Sequence, residues 1–333
     1  MDKSWKQYNN YAPGNREIWT GRKTPEHLGV QYWYQAVNCV LLSDLNDLPA
    51  GGFGLIGYAC DEGVRRNQGR IGAVEGPGAL REKLGKVAWH HQSETVYDFG
   101  DVLCQDDNME ASQAAFADGI SDLISKGILP IGIGGGHDMA FAHFNGIKKA
   151  FNNINKRIGI INFDAHFDLR PVEEQPNSGT PFNQIAKLLK QENKRLDYFV
   201  LGIQKGCNTR SLFDVAKKEG VKVVFAEQCQ NQPEQIKAIK TKLNAFVASV
   251  DLLYITIDMD GFSSAYAPGV SAASPLGFSP EFVFETLGFL LSSEKVMALD
   301  IAELNPKYDR DHQTAILASR LIDFVVANCP RSV

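Results

Sequence analysis

Carboxylate and imidazole side chains concentrate in three short segments of the chain, each at the end of an apolar run. The first segment follows RIGIINF and reads DAHFD, with Asp164, His166 and Asp168 at alternate positions. If the chain stays extended there, alternation sends these three side chains to one side of the backbone. Three ligand-type residues in this pattern favour a metal site over a solvated loop, which is the ordinary alternative.

The other two segments carry less information when taken alone. The run LLYITID ends in Asp258, and Asp260 follows two residues later; an acidic turn would read the same way. In ILPIGIGGGHDMAFAHF, several glycines lead into His137. This stretch lacks the third glycine and the later acidic residue of a dinucleotide-binding fingerprint. We therefore interpret the glycines as allowing the backbone to pass close beneath a cluster into which His137 projects.

Together the three segments supply two imidazoles and four carboxylates. This donor set suits Mn²⁺ better than a zinc site built on thiolates. Four aspartates would repel one another if buried alone, whereas two divalent cations would make the cluster nearly neutral. Two ions would also lower the pKa of a shared water and polarise an electrophile. We predict a hydrolytic site with two Mn²⁺ per subunit, and we interpret His143 and the other remaining histidines as structural.

The elements that must position these residues are visible as apolar runs typical of strands buried on both faces. The runs begin at Phe53, Ile128, Arg157, Tyr198, Val221, Leu252 and Val296. Helix-like segments alternate with them, such as the one containing Pro77, since proline suits a first helical turn. This alternation predicts an α/β fold with a mainly parallel sheet. Ligands bind outside the carboxyl ends of such strands, where the three segments fall.

Length and composition bound the organisation and the partners. No repeat or linker divides the chain, so we expect a single catalytic domain over 46–333, with 1–45 packed on it as an irregular segment. The 34 Lys and Arg against 39 Asp and Glu give a net charge of −5, which argues against nucleic acid as a partner. Scattered cysteines, no signal-like N-terminus and no membrane-length apolar stretch predict a cytoplasmic protein without membrane contact.

These segments, in this order, resemble the ureohydrolase superfamily of arginases and agmatinases. The resemblance covers roughly residues 53–325 and includes GPGALR, with Arg81, and ALDIAELNP, with Glu303. It implies a three-layer α/β/α arginase-like fold and a homo-oligomer. It also implies that one metal is held by His137, Asp164, Asp168 and Asp258, and the other by Asp164, His166, Asp258 and Asp260.

Within the superfamily, four segments look most like the branch that hydrolyses N-formimino-L-glutamate to L-glutamate and formamide in histidine degradation. They are GVRRNQGRIGAVEGPGALR, GGGHDMAFAHF, LGIQKGCNT and YAPGVSA. The resemblance makes Glu303 the acid that faces the nitrogen-bearing carbon of this small-molecule substrate; a structural helix cap is the alternative. Ser263 stands where arginases carry an acid, and the loop 177–182 has no proton-shuttling histidine. Asp260 is then a possible proton donor.

Arg170 stands where arginases place a neutral amide near the substrate carboxylate. Because N-formiminoglutamate carries two carboxylates, bidentate contacts from arginine suit it; a surface ion pair is the alternative. Arg70, Ser178 and Asn208 are weaker candidates for substrate contact. Two other functions stay open: a guanidino hydrolase such as agmatinase or guanidinobutyrase, which releases urea and is opposed by Arg170 and Ser263, and an inactive metal-binding regulatory member.

Overall fold

A ten-stranded sheet with helices on both faces organises residues 9–91, 94–151 and 156–329, the part of the chain that the computed structural model describes. The strands are β1 (Tyr11–Ala12), β2 (Asn38–Cys39), β3 (Phe53–Ala59), β4 (Val96–Leu103), β5 (Leu129–Gly134), β6 (Ile158–Phe163), β7 (Asp197–Ile203), β8 (Lys222–Phe225), β9 (Leu252–Asp258) and β10 (Val296–Ala302). The helices are α1 (Trp33–Ala36), α2 (Glu62–Arg66), α3 (Gly76–Leu84), α4 (Met109–Ser125), α5 (Met139–Ala150), α6 (Pro181–Gln191), α7 (Arg210–Glu219), α8 (Pro233–Ala248), α9 (Pro280–Leu291) and α10 (Gln313–Asn328).

The order of the strands is β1-β4-β3-β5-β10-β9-β6-β7-β8, and β2 also pairs with β4. The pairing of β1 with β4 is antiparallel, and the other strand pairings are parallel. All seven strands predicted from apolar runs are present, as β3 and β5 to β10, so the expected α/β fold with a mainly parallel sheet is confirmed. We did not predict β4, because Asp98, Gly100 and Asp101 interrupt its apolar pattern.

The sheet separates two apolar cores. Side chains of α3, α8, α9 and α10 pack on one face, and those of α4, α5, α6 and α7 pack on the other. Strand β9 serves both cores, since Leu253 and Ile255 face the first and Tyr254 faces the second. This arrangement gives the three layers that the resemblance implied. Among the described residues, no helix is long and apolar enough to cross a membrane.

The N-terminal segment does more than lie over the sheet as an irregular chain. β1 and β2 extend the sheet at β4, and Trp19 and Trp33 are buried in the first core. The indole N–H of Trp33 donates to Asp323 of α10 at 2.8 Å. The expected division at residue 45 falls inside the 3-10 helix Leu42–Asp47, and it stays a prediction.

A buried ion-pair network ties α3 to the edge of the sheet. The guanidinium of Arg81, 1% exposed, lies 2.9 Å from Asp98 and 2.6 Å from Asp101. It also donates to the carbonyl of Gly100, while the indole N–H of Trp19 donates to the second oxygen of Asp98 at 2.8 Å. The arginine of the GPGALR segment therefore has a structural role.

We predict that Arg81→Leu lowers the free energy of unfolding by about 3–5 kcal/mol, because it leaves Asp98 buried without a cation. Chemical denaturation of the metal-loaded protein measures this loss. Arg157→Leu is the matched control, since Arg157 pairs with Asp197 but is 45% exposed, and we expect a loss of about 1 kcal/mol or less. Equal losses in the two variants would contradict the role of the buried network.

Candidate active site

Four neighbouring strands of the sheet end at the same edge and position the residues of the site. In spatial order they are β5, β10, β9 and β6. His137 follows β5, Glu303 follows β10, Asp258 ends β9 and Asp164 follows β6. Because these strands are parallel, their carboxyl ends lie at one edge, so residues far apart in sequence converge there.

The backbone conformation of the DAHFD segment differs from the one that we expected. β6 ends at Phe163, and residues 164–168 form a loop, so the expected alternation along an extended strand is wrong. Asp164 accepts the backbone N–H of His166 at 2.7 Å, and Asp168 has a φ of 48°. A left-handed backbone is uncommon for a residue other than glycine and concentrates at functional sites. The loop, and not a strand, aims the three side chains.

The second acidic pair is also split between two elements. β9 ends at Asp258, whereas Asp260 lies in the 3-10 helix Met259–Gly261. The Oδ1 of Asp258 accepts the backbone N–H of Asp260 at 2.8 Å. The short helix thus begins on the carboxylate that precedes it, and this contact fixes the spacing of the two acids.

The glycines before His137 allow the close approach that the sequence predicted. The N–H of Gly135 donates to the carbonyl of Tyr58 at 3.0 Å, and that of Gly136 to the carbonyl of Cys60 at 2.9 Å. A Cβ on Gly135 would lie only 2.1 Å from the carbonyl oxygen of Cys60. Backbone packed this tightly against β3 excludes a side chain and holds His137 at the sheet edge.

The predicted metal ligands form two groups that share Asp164. The first group contains His137, Asp164, Asp168 and Asp258, and the second contains Asp164, His166 and Asp260. The Nδ1 of His137 lies 3.0 Å from Asp168 Oδ2 and 3.2 Å from Asp164 Oδ2. On the other side, Asp164 Oδ1 lies 3.4 Å from His166 Nδ1. The two oxygens of Asp164 therefore face different groups, and the bridging roles of Asp164 and Asp258 stay predictions.

The hydrogen bonds of His137 show that these residues fit a bound cation. The hydroxyl of Thr256 donates to Asp300 at 2.6 Å, so its oxygen is left to accept from His137 Nε2 at 2.9 Å. In the neutral ring, Nδ1 then directs its lone pair toward the surrounding carboxylate oxygens. That arrangement is repulsive unless a proton or a metal ion stands between them. The donors are oxygen and nitrogen, which suits the expected manganese.

A row of polar residues one layer below the ligands was missed in the sequence. Asp300, Thr256 and Asn162 are neighbours across β10, β9 and β6, and Asn162 donates to Asp164 at 2.9 Å. Asp300 also contacts His143 Nδ1 at 2.6 Å, so that histidine is structural but supports the ligand layer. A buried aspartate inside the apolar run VMALDI was the available signal.

Burial and mutual repulsion hold protons on the carboxyl groups. Burial, reinforced by the charge of Asp164, raises the pKa of Asp168 to about 6. Burial and the neighbouring Asp260 raise the pKa of Asp258 well above its ordinary value. Burial also opposes ionisation of Asp164, but hydrogen bonds from His137 and His166 outweigh it, so the pKa of Asp164 is lowered. Within this cluster, Asp164 is therefore the acid whose ionised form is favoured.

The two histidines respond in the opposite way to the same environment. Burial alone would lower the pKa of His137, but its contacts with Asp164, Asp168 and Asp258 outweigh burial and raise the pKa well above the ordinary value. The pKa of His166 is raised for the same reason, chiefly by the charge of Asp260. In the metal-free protein, protons thus take the places between imidazole and carboxylates, and metal binding must displace them.

Glu303 is held with one oxygen free. Its Oε1 accepts the backbone N–H of His137 at 2.9 Å, whereas its buried Oε2 has no hydrogen-bond partner within the described ranges. Its φ is 64°, a second left-handed residue at this edge. Burial, followed by the charge of Asp260, raises its pKa to about 8. Glu303 does not cap the helix that follows it, so its free oxygen remains available to a ligand.

A cavity of about 320 Å³ opens above the ligands, and the predicted substrate-contacting residues line it. They are Glu303, Arg70, Arg170, Ser178 and Asn208. Gln204 and Ser263 are not among the residues that line this cavity. Instead, Gln204 accepts from Ser274 at 2.7 Å, and Ser263 donates to the carbonyl of Pro275 at 2.9 Å.

The lining residues differ in how free their side chains are. The amide of Asn208 accepts from the N–H of Phe167 and donates to the carbonyls of Ala165 and Gln204. It therefore holds the DAHFD loop and has no N–H left for a substrate, which corrects our expectation of substrate contact.

Ser178 and Arg170 contrast with Asn208, because their polar side-chain groups remain available to a ligand. The hydroxyl oxygen of Ser178 accepts from Asn67 at 3.1 Å and keeps its own proton to donate. Arg170 has no ion pair among the described residues, so the alternative of a surface ion pair is wrong.

Comparison with known proteins identifies the family to which this chain belongs. The sequence profile of the Arginase family matches residues 52–327. Formimidoylglutamase of Clostridium tetani is 38% identical over 325 residues, which cover 95% of this chain and 96% of the relative. Formimidoylglutamase of Aeromonas hydrophila is 39% identical over 94% of this chain and 98% of the relative. The chain belongs to the arginase family, as the resemblance indicated.

Solved structures agree on the fold. Formimidoylglutamase of Bacillus subtilis superposes with a TM-score of 0.79 at 22% identity, covering 92% of this chain and 94% of that one. The formiminoglutamase of Trypanosoma cruzi, solved with Mn²⁺, gives 0.74 at 24% identity, covering 83% and 92%. The arginase-like fold is thereby confirmed. Metal ions at two positions are a property of that neighbour.

We predict that the metal-free protein loses thermal stability as the pH rises from 5 to 8. The raised pKa values of Asp168, Asp258 and Glu303 mean that the folded state binds more protons than the unfolded state in this range, and so do those of both histidines. Stability is then present at low pH and lost as each folded-state group deprotonates. Each unit of pKa shift is worth about 1.4 kcal/mol. Scanning calorimetry in chelator measures the fall.

The same scans with saturating Mn²⁺ are the control, because bound cations replace the displaced protons. We expect the pH dependence to shrink or reverse, and we expect proton release when metal is titrated into the protein. Parallel pH profiles with and without metal would contradict the charge balance inferred for the site.

We predict that Asp300→Asn lowers the affinity for Mn²⁺ by about 10- to 100-fold, because a neutral amide has one oxygen where the carboxylate has two for Thr256, Tyr254 and His143, so Thr256 is held less firmly as the acceptor for His137. Isothermal titration calorimetry measures the affinity directly. Asp197→Asn is the matched control, since this aspartate pairs with Arg157 at the start of β7, away from the site, and should leave the affinity unchanged. An unaltered affinity in Asp300→Asn would refute the positioning role.

Proposed function

We propose that this protein is a two-metal hydrolase that converts N-formimino-L-glutamate and water into L-glutamate and formamide. One observation carries the proposal: a complete set of metal ligands lies under a cavity lined by Arg70 and Arg170, which have no carboxylate partner among the described residues. Unpaired arginines beside a metal site suit a substrate with two carboxylates. Agmatine is a cation without a carboxylate, so it has no group that these arginines could bind.

The reaction adds water to the formimino carbon and releases the glutamate nitrogen as the amine. Two Mn²⁺ ions, when bound, supply the positive charge that activates water and polarises the amidine. His137, Asp164, Asp168 and Asp258 would hold one ion, and Asp164, His166 and Asp260, with Asp258, the other. The role of the protein is to keep these donors fixed while the substrate enters from the cavity.

Two acids serve the substrate directly in this proposal. Glu303 Oε2 is buried and unpartnered within the described ranges, so it can accept N–H groups of the amidine and hold the carbon in place. The Oδ1 of Asp260 is likewise unpartnered, and burial raises the pKa of this acid. Asp260 can therefore accept a proton from the attacking water and pass it to the leaving nitrogen, in place of the histidine that the loop 177–182 lacks.

Ser178 completes the polar lining in this proposal. Its hydroxyl proton is available because its oxygen already accepts from Asn67, so it can donate to a substrate carboxylate.

We also propose that the protein works in the cytoplasm. The six cysteines are free thiols, which is typical of a reducing compartment such as the cytoplasm. Assembly into a homo-oligomer, which the family resemblance implied, also remains a prediction.

We expect the Mn²⁺-loaded protein to release formamide from N-formimino-L-glutamate, measured by proton NMR. Asp164→Asn should lower the rate by more than about 100-fold, since it removes the shared ligand. Glu303→Gln should lower it by about 10²- to 10³-fold with metal content unchanged. Glu285→Gln is the matched control, because that glutamate pairs with Lys240 on the surface.

Two results would overturn the proposal. Urea from agmatine or 4-guanidinobutyrate, without formamide, would make the protein a guanidino hydrolase. Calorimetric binding of N-formimino-L-glutamate without turnover under any divalent metal would make it a regulatory member of the family.

A further inference from the structure

Arg70 lines the cavity, and one edge of its guanidinium has hydrogen-bond partners while the other has none among the described residues. Its Nε donates to the carbonyl of Ser271 at 2.9 Å and its Nη2 to the carbonyl of Val270 at 2.6 Å. These bonds occupy the side edge of the group. The end edge, formed by Nη1 and the second hydrogen of Nη2, has no partner among the described residues, and it matches a carboxylate in bidentate geometry. Arg70 is thus a prearranged anchor for a single carboxylate.

The position of Arg70 is tied to the segment that carries Glu303. Its carbonyl accepts from the side chain of Asn305, two residues beyond Glu303, at 2.9 Å. Its guanidinium carbon lies 4.1 Å from the ring centre of Tyr308. Stacking on an aromatic ring and two carbonyl contacts fix this cation relative to the acid that faces the reacting carbon.

Arg170 occupies a different position. It lines the inner cavity and also an outer vestibule of about 800 Å³, whereas Arg70 lines the inner cavity alone. Its backbone N–H donates to the carbonyl of Gly179 at 2.9 Å, but its guanidinium has no partner in the described part of the chain, and the residue is exposed. A Cβ on Gly179 would lie 2.9 Å from Arg170 Cδ, so that glycine leaves room for the side chain.

We propose that the two arginines divide the two carboxylates, with Arg70 binding the α-carboxylate and Arg170 the γ-carboxylate. This assignment rests on the proposed function. The α-carboxylate sits on the carbon that bears the reacting nitrogen, so it must lie near Glu303, to whose segment Arg70 is fixed. The γ-carboxylate lies further from the reacting centre, where Arg170 reaches from the rim. Tyr308 acts as a positioning residue for Arg70.

The test combines substrate analogues that lack one carboxylate with enzyme variants in which one arginine is replaced. 4-(Formiminoamino)butyrate lacks only the α-carboxylate, and N-formimino-L-2-aminobutyrate lacks only the γ-carboxylate. In the wild type we expect each deletion to lower kcat/KM by about 10- to 100-fold. Arg70→Gln should be insensitive to loss of the α-carboxylate while keeping its dependence on the γ-carboxylate, and Arg170→Gln should show the reverse.

Arg65→Gln is the matched control, because Arg65 lines the vestibule but pairs with Glu62; it should keep both dependences. Tyr308→Leu should weaken the α-carboxylate dependence by about 3- to 10-fold, and Tyr308→Phe should restore it. Equal sensitivity of both arginine variants to both deletions, or an exchanged pattern, would overturn the assignment.

The outcome is separable from failure of the proposed function. If the wild type releases no formamide, that function fails, and calorimetric binding of the three compounds to the same variants then decides the assignment. Thermal unfolding of each variant shows whether it is folded, and Gly179→Ala supplies a second perturbation of Arg170 that keeps its charge. That variant should weaken only the γ-carboxylate dependence, and an unchanged dependence would count against Arg170.

Discussion

Repulsion among buried carboxylates is the constraint on which the site depends. Asp164, Asp168, Asp258 and Asp260 converge within one cluster, and bringing such charges out of water is costly unless cations accompany them. In the metal-free protein, protons shared between the imidazoles and the carboxylates offset this repulsion, and two cations would take their place in the proposed site. The row below the predicted ligands is polar because it orients one of them: Asp300, through Thr256, fixes the His137 ring.

The sheet meets this constraint through its topology. Parallel neighbours β5, β10, β9 and β6 end together, so the ligands need not be close in sequence. Strand β10 contributes twice, with Asp300 inside the core and Glu303 beyond its end. Asp300, which supports the predicted ligand His137 through Thr256, and Glu303, the acid proposed to face the substrate, are therefore only three residues apart in the chain. A displacement of this strand would alter both.

Much of this arrangement could be predicted because it leaves local marks in the sequence. Apolar runs buried on both faces marked seven strands, and ligand-type residues at their ends marked the cluster. Prediction from the sequence failed where the local structure depends on residues far away in the chain. β4 contains Asp98, which is held in the core by Arg81 from α3 and by the indole N–H of Trp19. The DAHFD segment leaves the strand conformation because Asn208, far along the chain, holds it as a loop. The pairing of Asp300 with Thr256 depends on strand register, which composition does not reveal.

Metal-side and substrate-side residues occupy different kinds of structure. The ligands and their supports belong to the strand ends and the turns that follow directly, packed against the core. Arg70 and Arg170 lie instead on exposed connections and share no hydrogen bond with a ligand side chain in the described part of the chain. Loops tolerate substitution and insertion far better than buried strand ends. In a protein built this way, selection can exchange one organic acid for another at the rim while the hydrolytic centre is inherited intact, so new specificities can arise without a loss of metal loading.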